Sequence, residues 1–469
     1  MQKFAINSWW EYSGNDKAIG NLVFENNEAY FDVNGQNNGR PCAYSTVHED
    51  MYIKALISGR ISETDEVTRL NVRRIFKSNK NITLFEDCSI INIKEVEFEI
   101  RGLYAWLQVD TLSGKWSYDR THYNIEVKNI NDISLLENEE RAIDIIFKTQ
   151  LQDPFLNIST KISIEKKTKI RIIYFKEVDD NRVFEDIKNV SRFLGLLMGI
   201  LGYVDNVSMI DSNNHNYQCY FSHDFSYDLE NSNFNFLYGY YRFNFIDIQN
   251  RLMILYAKWD SFINEDCDMS FLIGVYFLLN SKREYLIEDK FLHCCRFLEG
   301  YSIRRNENGD AVLKSDIKKE LKRVFNNTDA SKTIANLKES LKALDINEKY
   351  ALPVKISEAM TERILNGNNL SFGQRIESID NQYSNYLTEN YKRIRHHDTK
   401  CEPDSAPEKL ALIKKIVDTR NYYSHFKNNN DGILSLEEII HTSNLLNKLI
   451  TKIILSEIGF NMDEMLKKD

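Results

Sequence analysis

The length, composition and charge of the chain place it among large globular proteins. Its 469 residues are 42% hydrophobic and 28% charged, a composition that predicts about two to four domains and excludes wholesale disorder. The 60 basic residues against 69 acidic residues give a formal net charge of −9. This balance argues against a protein that coats nucleic acid through a general basic excess, but it leaves room for a confined nucleic-acid site.

Cysteine usage and hydropathy predict a cytoplasmic protein with reduced thiols. The seven cysteines include no Cys-x-x-Cys pair, so neither a disulfide framework nor a zinc ribbon is expected. Met1–Tyr12 lacks the apolar core of a signal peptide, and the most apolar run, Leu194–Val204, is about half as long as a membrane-spanning helix. We therefore expect no membrane association, no resident metal and no cofactor.

The first part of the chain, up to about residue 180, carries the pattern of β-strands. Val96–Arg101 alternates apolar with charged side chains, which is typical of a strand with one solvated face. Leu22–Phe24 and Ala29–Val33 flank Asn26 and Asn27, whose tolerance of positive φ suits a hairpin turn. Because no helices interleave with the strands, an antiparallel sandwich or barrel is favoured over a parallel sheet. Further strands are expected at Tyr52–Ile57, Val67–Phe76, Tyr123–Val127, Ile143–Phe147, Lys161–Ile164 and Ile170–Tyr174.

After Phe184 the apolar period changes to three or four residues, which predicts an amphipathic helix through Leu201. A polar segment over 205–235 follows, and from Tyr241 the chain is expected to be helical to its end. The fold class is therefore α+β. It has an N-terminal antiparallel β-rich domain over 1–235, sandwich- or barrel-like, followed by an all-α domain over 236–469. Helices are expected around Phe245–Trp259, Ser270–Leu279, Ile287–Arg304, Lys314–Val324, Ser331–Leu344 and Phe372–Tyr391.

Two helices are predicted near the C-terminus of the chain, each with the spacing of a capping box. Ser405–Glu408 precedes the first helix and Ser435–Glu438 begins the second. The first helix carries an apolar stripe that continues into polar positions instead of further apolar ones. Polar groups on a packed face are costly without partners, so these positions mark a candidate site. The apolar positions are Leu410, Ile413 and Val417, and the polar ones are Arg420, Asn421 and Ser424.

The segment Arg420–His425 combines residues that can act on a phosphodiester. Histidine titrates near neutrality and can move a proton, and the planar fork of arginine suits a phosphate. Asn421 and His425 share a helical face, whereas Arg420 lies about 140° around the helix from His425. A two-fold dimer that pools two such helices would assemble the site more easily.

A structural interpretation of the same residues stays open. His425 then only ends the helix near the negative pole of its dipole, and Arg420 makes an ordinary ion pair with Asp418 or Glu437.

The C-terminal part of the chain resembles a HEPN domain, a helical ribonuclease fold. The motif of that family is an arginine, usually a polar residue, and a histidine four to six residues after the arginine. Asp418–His425 matches the form found in the ApeA-like group. Further segments resemble the same group: Phe291–Glu299 and Leu370–Arg375 its HEPN domain, and Trp9–Trp10, Gly20–Phe24 and Val96–Trp106 its N-terminal domain.

The resemblance implies an anti-phage ribonuclease that acts by abortive infection without a metal. His425 would help to deprotonate a ribose 2′-OH, giving a 2′,3′-cyclic phosphate end. Arg420 would stabilise charge on the phosphoryl oxygens, and Asn421 would orient one of the two. The implied partners are cellular RNA, with tRNA as one candidate, and a second copy in a homodimer or higher homo-oligomer formed through the HEPN helices. The β-rich domain would sense a phage-derived activator.

The sequence around the motif is locally basic, although the protein is acidic. Tyr391–Lys427 holds nine lysines and arginines against five acidic residues. This excess is consistent with an RNA path or, equally, with an ordinary charged helix surface. The residues expected to contact RNA are Tyr422, Tyr423, Lys427, Arg393 and Arg395, with Lys400, Lys414 and Lys415 as further basic candidates.

Other functions have weaker support in the sequence. The loop after His425 resembles a calcium loop that ends at Glu438, but Lys427 stands at its first position, where calcium needs an oxygen ligand. Asp153 with Glu165–Lys167 fits a metal-dependent nuclease strand, and equally a charged exposed strand. The ligand-rich stretch 396–404 lacks regular metal spacing. A non-catalytic HEPN-like module that binds RNA or a ligand, or assembles with partners, stays the main alternative.

Overall fold

The computed structural model confirms the α+β fold. It describes residues 3–12, 16–25, 28–34, 43–63, 67–79, 92–109, 112–116, 123–128, 130–152, 163–199, 203–221, 241–265, 267–280, 286–305, 371–391, 409–425, 432–461 and 464. The strands are β1 Phe4–Tyr12, β2 Asp16–Glu25, β3 Glu28–Asn34, β4 Ala43–His48, β5 Met51–Glu63, β6 Val67–Ser78, β7 Ile93–Ile100, β8 Leu112–Trp116, β9 Tyr123–Val127, β10 Ile133–Glu137, β11 Arg141–Gln152, β12 Ser163–Val178, β13 Val204–Asp211 and β14 Asn216–Phe221. The helices are α1 Leu103–Leu107, α2 Asp180–Met198, α3 Phe245–Ile248, α4 Leu252–Ile263, α5 Cys267–Leu279, α6 Ile287–Arg305, α7 Phe372–Gln382, α8 Lys409–His425 and α9 Leu436–Glu457.

Twelve of the described strands form one antiparallel sheet, in the order β10-β11-β12-β7-β13-β14-β6-β3-β2-β1-β4-β5. β5 also pairs with β6, so the six strands from β6 to β5 close into a ring. β8 and β9 form a separate hairpin. The sheet thus has a closed part with the barrel-like arrangement expected from the sequence. The other six strands form an open part that continues from β6.

Aromatic side chains fill the interior of the closed ring. Trp10, Phe31 and Tyr44 are fully buried there, and the Trp10 indole N–H donates to the carbonyl oxygen of Gly20 at 3.0 Å. A Cβ atom at Gly20 would come within 2.4 Å of the Phe31 ring. Glycine at this position therefore lets the ring of Phe31 lie directly on the strand.

Helix α2 covers the open part of the sheet. Asp179 caps the helix by accepting from the backbone N–H of Arg182 at 2.9 Å, and Gly199 ends it with a φ of 75°. The expected apolar stripe is buried at Ile187, Val190 and Leu194. A single hydrophobic core continues from this sheet face into the helical half.

Two indole hydrogen bonds join the sheet side to the first helices of the helical half. The Trp106 indole donates to the carbonyl oxygen of Phe243 at 2.7 Å, and the Trp259 indole donates to that of Asn189 at 3.1 Å. The domain boundary between residues 235 and 236 stays a prediction. One hydrophobic core contains residues from both sides of it.

Three predicted elements differ from the structure in their continuity. Ile170–Tyr174 belongs to the single long strand β12, because β11 pairs with β12 without interruption from Gln152 to Arg141. A 3-10 turn at Gln249–Arg251 divides the helix expected over Phe245–Trp259. The helix expected over Phe372–Tyr391 ends at Gln382 and resumes at 386–391.

Asp380 explains the break between α7 and the short helix at 386–391. Ser384 and Asn385 have φ values of 58° and 56°. The buried carboxylate of Asp380 accepts from the backbone N–H of Leu387 at 2.8 Å and from the Thr388 hydroxyl at 3.0 Å. Asp380 thereby supplies an acceptor for a backbone N–H group at the start of the second helix. The helices expected within 314–344 lie outside the described residues.

No helix in the described part of the chain is both long and apolar enough to cross a membrane.

Candidate active site

The motif lies on α8, which packs against α6, α7 and α9. The buried side of α8 is formed by Leu412, Ile413, Ile416 and Thr419. Gly373 on α7 faces α8: a Cβ atom added there would lie 3.4 Å from a side-chain carbon of Val417 and 3.5 Å from one of Ile413. The last two turns of α8 are thereby fixed between neighbours.

Thr419 is the buried polar residue of this face, and the sequence pattern did not single it out. Its hydroxyl donates to the carbonyl oxygen of Lys415 at 2.7 Å and accepts from the backbone N–H of Leu434 at 2.8 Å. The second bond ties α8 to the segment that leads into α9. Threonine within a helix commonly bonds to the preceding turn, but its remote partner could not be read from local spacing.

Arg420 is held by two intramolecular hydrogen bonds. Its Nη2 donates to Oε2 of Glu299 on α6 at 3.0 Å, and its Nη1 donates to Oδ1 of Asn421 at 3.1 Å. The guanidinium carbon lies 5.4 Å from the centroid of the Phe372 ring, a cation–π distance. The structural interpretation expected an ion pair of Arg420 with Asp418 or Glu437. Arg420 does form an ion pair, but its partner is Glu299, so the predicted partner was wrong.

Glu299 was part of the segment that resembles the HEPN family, but the sequence assigned it no role. It is 121 positions away from Arg420 in the chain. The feature that could have identified Glu299 from the sequence is its position on the predicted helix α6. There it follows Cys295 and Leu298, which are buried, while the side chain of Glu299 stays 32% exposed. An acid at the border of a buried helix face is a candidate partner for a basic residue on the facing helix.

Cys295 adjoins the Arg420–Glu299 pair but is not a nucleophile. Burial raises the pKa of its thiol well above the usual value, and the positive charge of Arg420 offsets this effect only in part. The thiol therefore stays protonated near neutral pH, and a protonated buried cysteine is unreactive.

His425 is the last residue of α8 and is exposed. It lies one helical turn after Asn421 on the same face, and about 140° around the helix from Arg420. The hydrogen bond from Arg420 to Asn421 therefore connects the arginine to the face that carries the histidine. A substrate that contacts both side chains has to span this angle.

Tyr422 and Tyr423 form an edge-to-face pair beside the motif, with ring centroids 5.0 Å apart. Partial burial raises the pKa of Tyr423, and the nearby Glu288 on the first turn of α6 adds to this effect. The Glu288 carboxylate thus contributes to the electrostatic environment at the end of α8. Both tyrosines are half-buried and present ring edges and faces next to Arg420 and His425.

The other residues expected to contact RNA are placed differently. Lys415 is engaged in an ion pair with Glu438 at 3.0 Å, whereas Lys414 is exposed on α8. Lys427, Arg393 and Arg395, together with Lys400, lie outside the described residues.

Glu438 performs a structural task that competes with the calcium interpretation. Its carboxylate accepts from the backbone N–H of Ser435 at 2.9 Å, from Lys415 at 3.0 Å and from the Tyr391 hydroxyl at 3.2 Å. Burial by itself would raise the pKa of Glu438, but these bonds lower it below its usual value. The residue completes the predicted capping box of α9 and is not free to serve as the last ligand of a calcium loop.

The alternative metal sites fall mostly outside the described residues. Asp153, the side chain of Glu165 and the stretch 396–404 are among the residues left undescribed, and Lys167 lies on β12. Within the described ranges, no three His, Cys, Asp or Glu side chains converge closely enough to hold a metal ion.

Two family models match the chain. Residues 292–464 match Apea-like HEPN, and residues 50–259 match ApeA N-terminal domain 1. The chain has the ApeA-like architecture. The Apea-like HEPN match includes Glu299, Arg420 and His425, and the architecture points to anti-phage defence with a HEPN nuclease domain. No curated protein and no solved structure matches the chain significantly.

Proposed function

We propose that this protein is a metal-independent HEPN endoribonuclease that cleaves cellular RNA, with tRNA as one candidate, and so aborts phage infection. The observation that carries the proposal is the arrangement on α8, within the Apea-like HEPN match. Arg420 donates to Asn421 at 3.1 Å, and Asn421 shares its helical face with the exposed His425. An imidazole can move the proton of the attacking hydroxyl, and a guanidinium can stabilise the charge that develops on the phosphoryl oxygens in phosphodiester transesterification.

In the proposed reaction, the His425 imidazole takes the proton of a ribose 2′-OH. The 2′-oxygen attacks the adjacent phosphorus, the bond from phosphorus to the 5′-oxygen breaks, and a 2′,3′-cyclic phosphate forms. Arg420 donates hydrogen bonds to the non-bridging oxygens, on which negative charge accumulates. The departing 5′-oxygen receives a proton from an imidazolium or from water.

A second copy of the chain would complete this site. In-line attack places the 2′-oxygen and the departing 5′-oxygen on opposite sides of the phosphorus, so a single imidazole reaches only one of them readily. Two copies related by a two-fold axis beside α8 supply a second His425 and a second Arg420. The β-rich half would hold the nuclease inactive until it binds a phage-derived activator.

The test is cleavage of total RNA by the purified full-length protein in excess EDTA. We expect cleavage by the wild type and a loss of at least about 100-fold in His425→Ala and Arg420→Ala. Lys448→Ala is the matched control, because Lys448 is an exposed lysine of α9 outside the expected RNA path, and it should cleave normally. New 3′ ends should accept ligation only after removal of a cyclic phosphate.

The result that would overturn the proposal is equally specific. Absence of cleavage under all activating conditions, with phage protection intact in His425→Ala, would favour the non-catalytic binding module. Cleavage that stops on chelation would indicate a metal-dependent nuclease instead.

A further inference from the structure

The terminal fork of Arg420 is occupied within the protein. Each of its two terminal nitrogens already has an oxygen acceptor, Oδ1 of Asn421 for Nη1 and Oε2 of Glu299 for Nη2. Phosphates are bound most strongly when both nitrogens of such a fork donate to two phosphate oxygens. A phosphodiester that approaches these two nitrogens therefore competes with Glu299 and Asn421 for them.

The two acceptors differ in what they do to a phosphate. Asn421 is neutral, and it lies next to Arg420 on the same helix. Glu299 carries a negative charge from another helix, neutralises the guanidinium and repels any phosphate that approaches it. The side chains of Arg420 and Glu299 are 27% and 32% exposed, so water reaches the pair and can assist its separation.

Glu299 is also not the group needed to orient Arg420. The Asn421 amide fixes one terminal nitrogen at 3.1 Å, and the Phe372 ring lies 5.4 Å from the guanidinium carbon. Neither of these contacts involves Glu299. The added effect of Glu299 is to cancel the charge that a phosphate would bind.

We propose that Glu299 is a latch that occupies the phosphate position on Arg420 and keeps the resting site from binding RNA. RNA binding, or a shift of α6 relative to α8, releases the latch by separating Glu299 from Arg420. This inference rests on the proposed function, because it takes the phosphodiester of RNA as the ligand of Arg420.

The experiment measures RNA binding separately from cleavage. Full-length protein carrying His425→Ala is titrated with a fluorescein-labelled single-stranded RNA of about 20 nucleotides, and anisotropy is recorded. Adding Glu299→Gln, which removes the charge but keeps the shape, should tighten binding about two- to fivefold. Adding Arg420→Ala to this variant should abolish the gain.

Glu288→Gln is the matched control. Glu288 is also on α6, lies near Tyr423 of α8 and carries the same charge, but the described contacts of Arg420 do not include it. A latch predicts a smaller gain for Glu288→Gln than for Glu299→Gln. Equal gains would show that only the general negative charge of α6 matters, and would overturn the latch.

Further outcomes separate this inference from the proposed nuclease. Unchanged, weaker or undetectable binding by Glu299→Gln overturns the latch, and slower cleavage by Glu299→Gln with His425 intact would show that Glu299 positions Arg420 for catalysis. Tighter, Arg420-dependent binding without cleavage by any variant supports the latch and refutes the nuclease. If circular dichroism shows that Glu299→Gln is misfolded, Glu299→Ala is measured in its place under the same criteria.

Discussion

At the scale of single residues, Lys54 is a buried cation that lowers the stability of the fold. Its side chain is fully buried on β5, and burial lowers its pKa to about 8, although the nearby Asp180 carboxylate acts in the opposite direction. Between pH 8 and the ordinary value of 10.5, the unfolded chain keeps a proton that the folded chain has lost. The cost of burying the ammonium is therefore complete below pH 8 and disappears as pH rises through this window.

Lys54→Met should raise the free energy of unfolding by about 1–3 kcal/mol at pH 7, and by much less at pH 10. Urea denaturation of the wild type and the variant at both pH values measures the difference. Lys17→Met, at an exposed lysine of β2, should change stability by no more than about 0.5 kcal/mol. A gain from Lys54→Met that is equal at the two pH values would contradict this explanation.

At the scale of elements, the hydroxyl of Thr419 joins α8 to the start of α9. Thr419→Val keeps the shape but leaves the backbone N–H of Leu434 without its acceptor, which should cost about 1–3 kcal/mol. Thr419→Ser keeps the hydroxyl and should cost less than about 1 kcal/mol. Unfolding in urea measures both, and a Thr419→Val variant as stable as the wild type would show that this link contributes nothing.

Elements that depend on local sequence were predictable, and those that depend on remote partners were not. The alternation in Val96–Arg101 and the capping box at Ser435 act within a few residues, and both appear as expected. The pairing of Arg420 with Glu299 needs α6 and α8 to pack first, so the motif predicted the arginine but not its partner. Closure of the ring likewise depends on the register of β5 against β6, which no single strand encodes.

At the scale of the whole molecule, Arg141 joins three elements from both halves. It is buried on β11, with Nη1 2.9 Å from Oδ1 of Asp186 on α2 and Nη2 2.6 Å from Oδ1 of Asp260 on α4. Arg141→Met leaves the buried carboxylate of Asp186 and the half-buried carboxylate of Asp260 without this partner, and it should destabilise the protein by about 3–5 kcal/mol. Because the core is continuous, the loss should affect the sheet and the helices together.

Urea unfolding followed by both circular dichroism and tryptophan fluorescence checks this prediction. The two signals should shift together to lower urea in Arg141→Met. Arg182→Met is the control, because Arg182 pairs with Asp186 from a side chain that is 44% exposed, and it should cost less than about 1 kcal/mol. A shift confined to one signal would mean that the halves unfold independently.

Closure of the ring also limits where the sheet can accept a further strand. One end of the twelve-stranded sheet is closed by the pairing of β5 with β6, so among the described strands β10 alone keeps an unpaired edge at an end of that sheet. This edge strand has five residues, and its pairing with β11 is irregular between Ser134 and Leu136. Short, irregular edges resist the intermolecular strand addition that leads to aggregation. The sheet therefore offers a neighbouring chain little backbone on which to build a further strand.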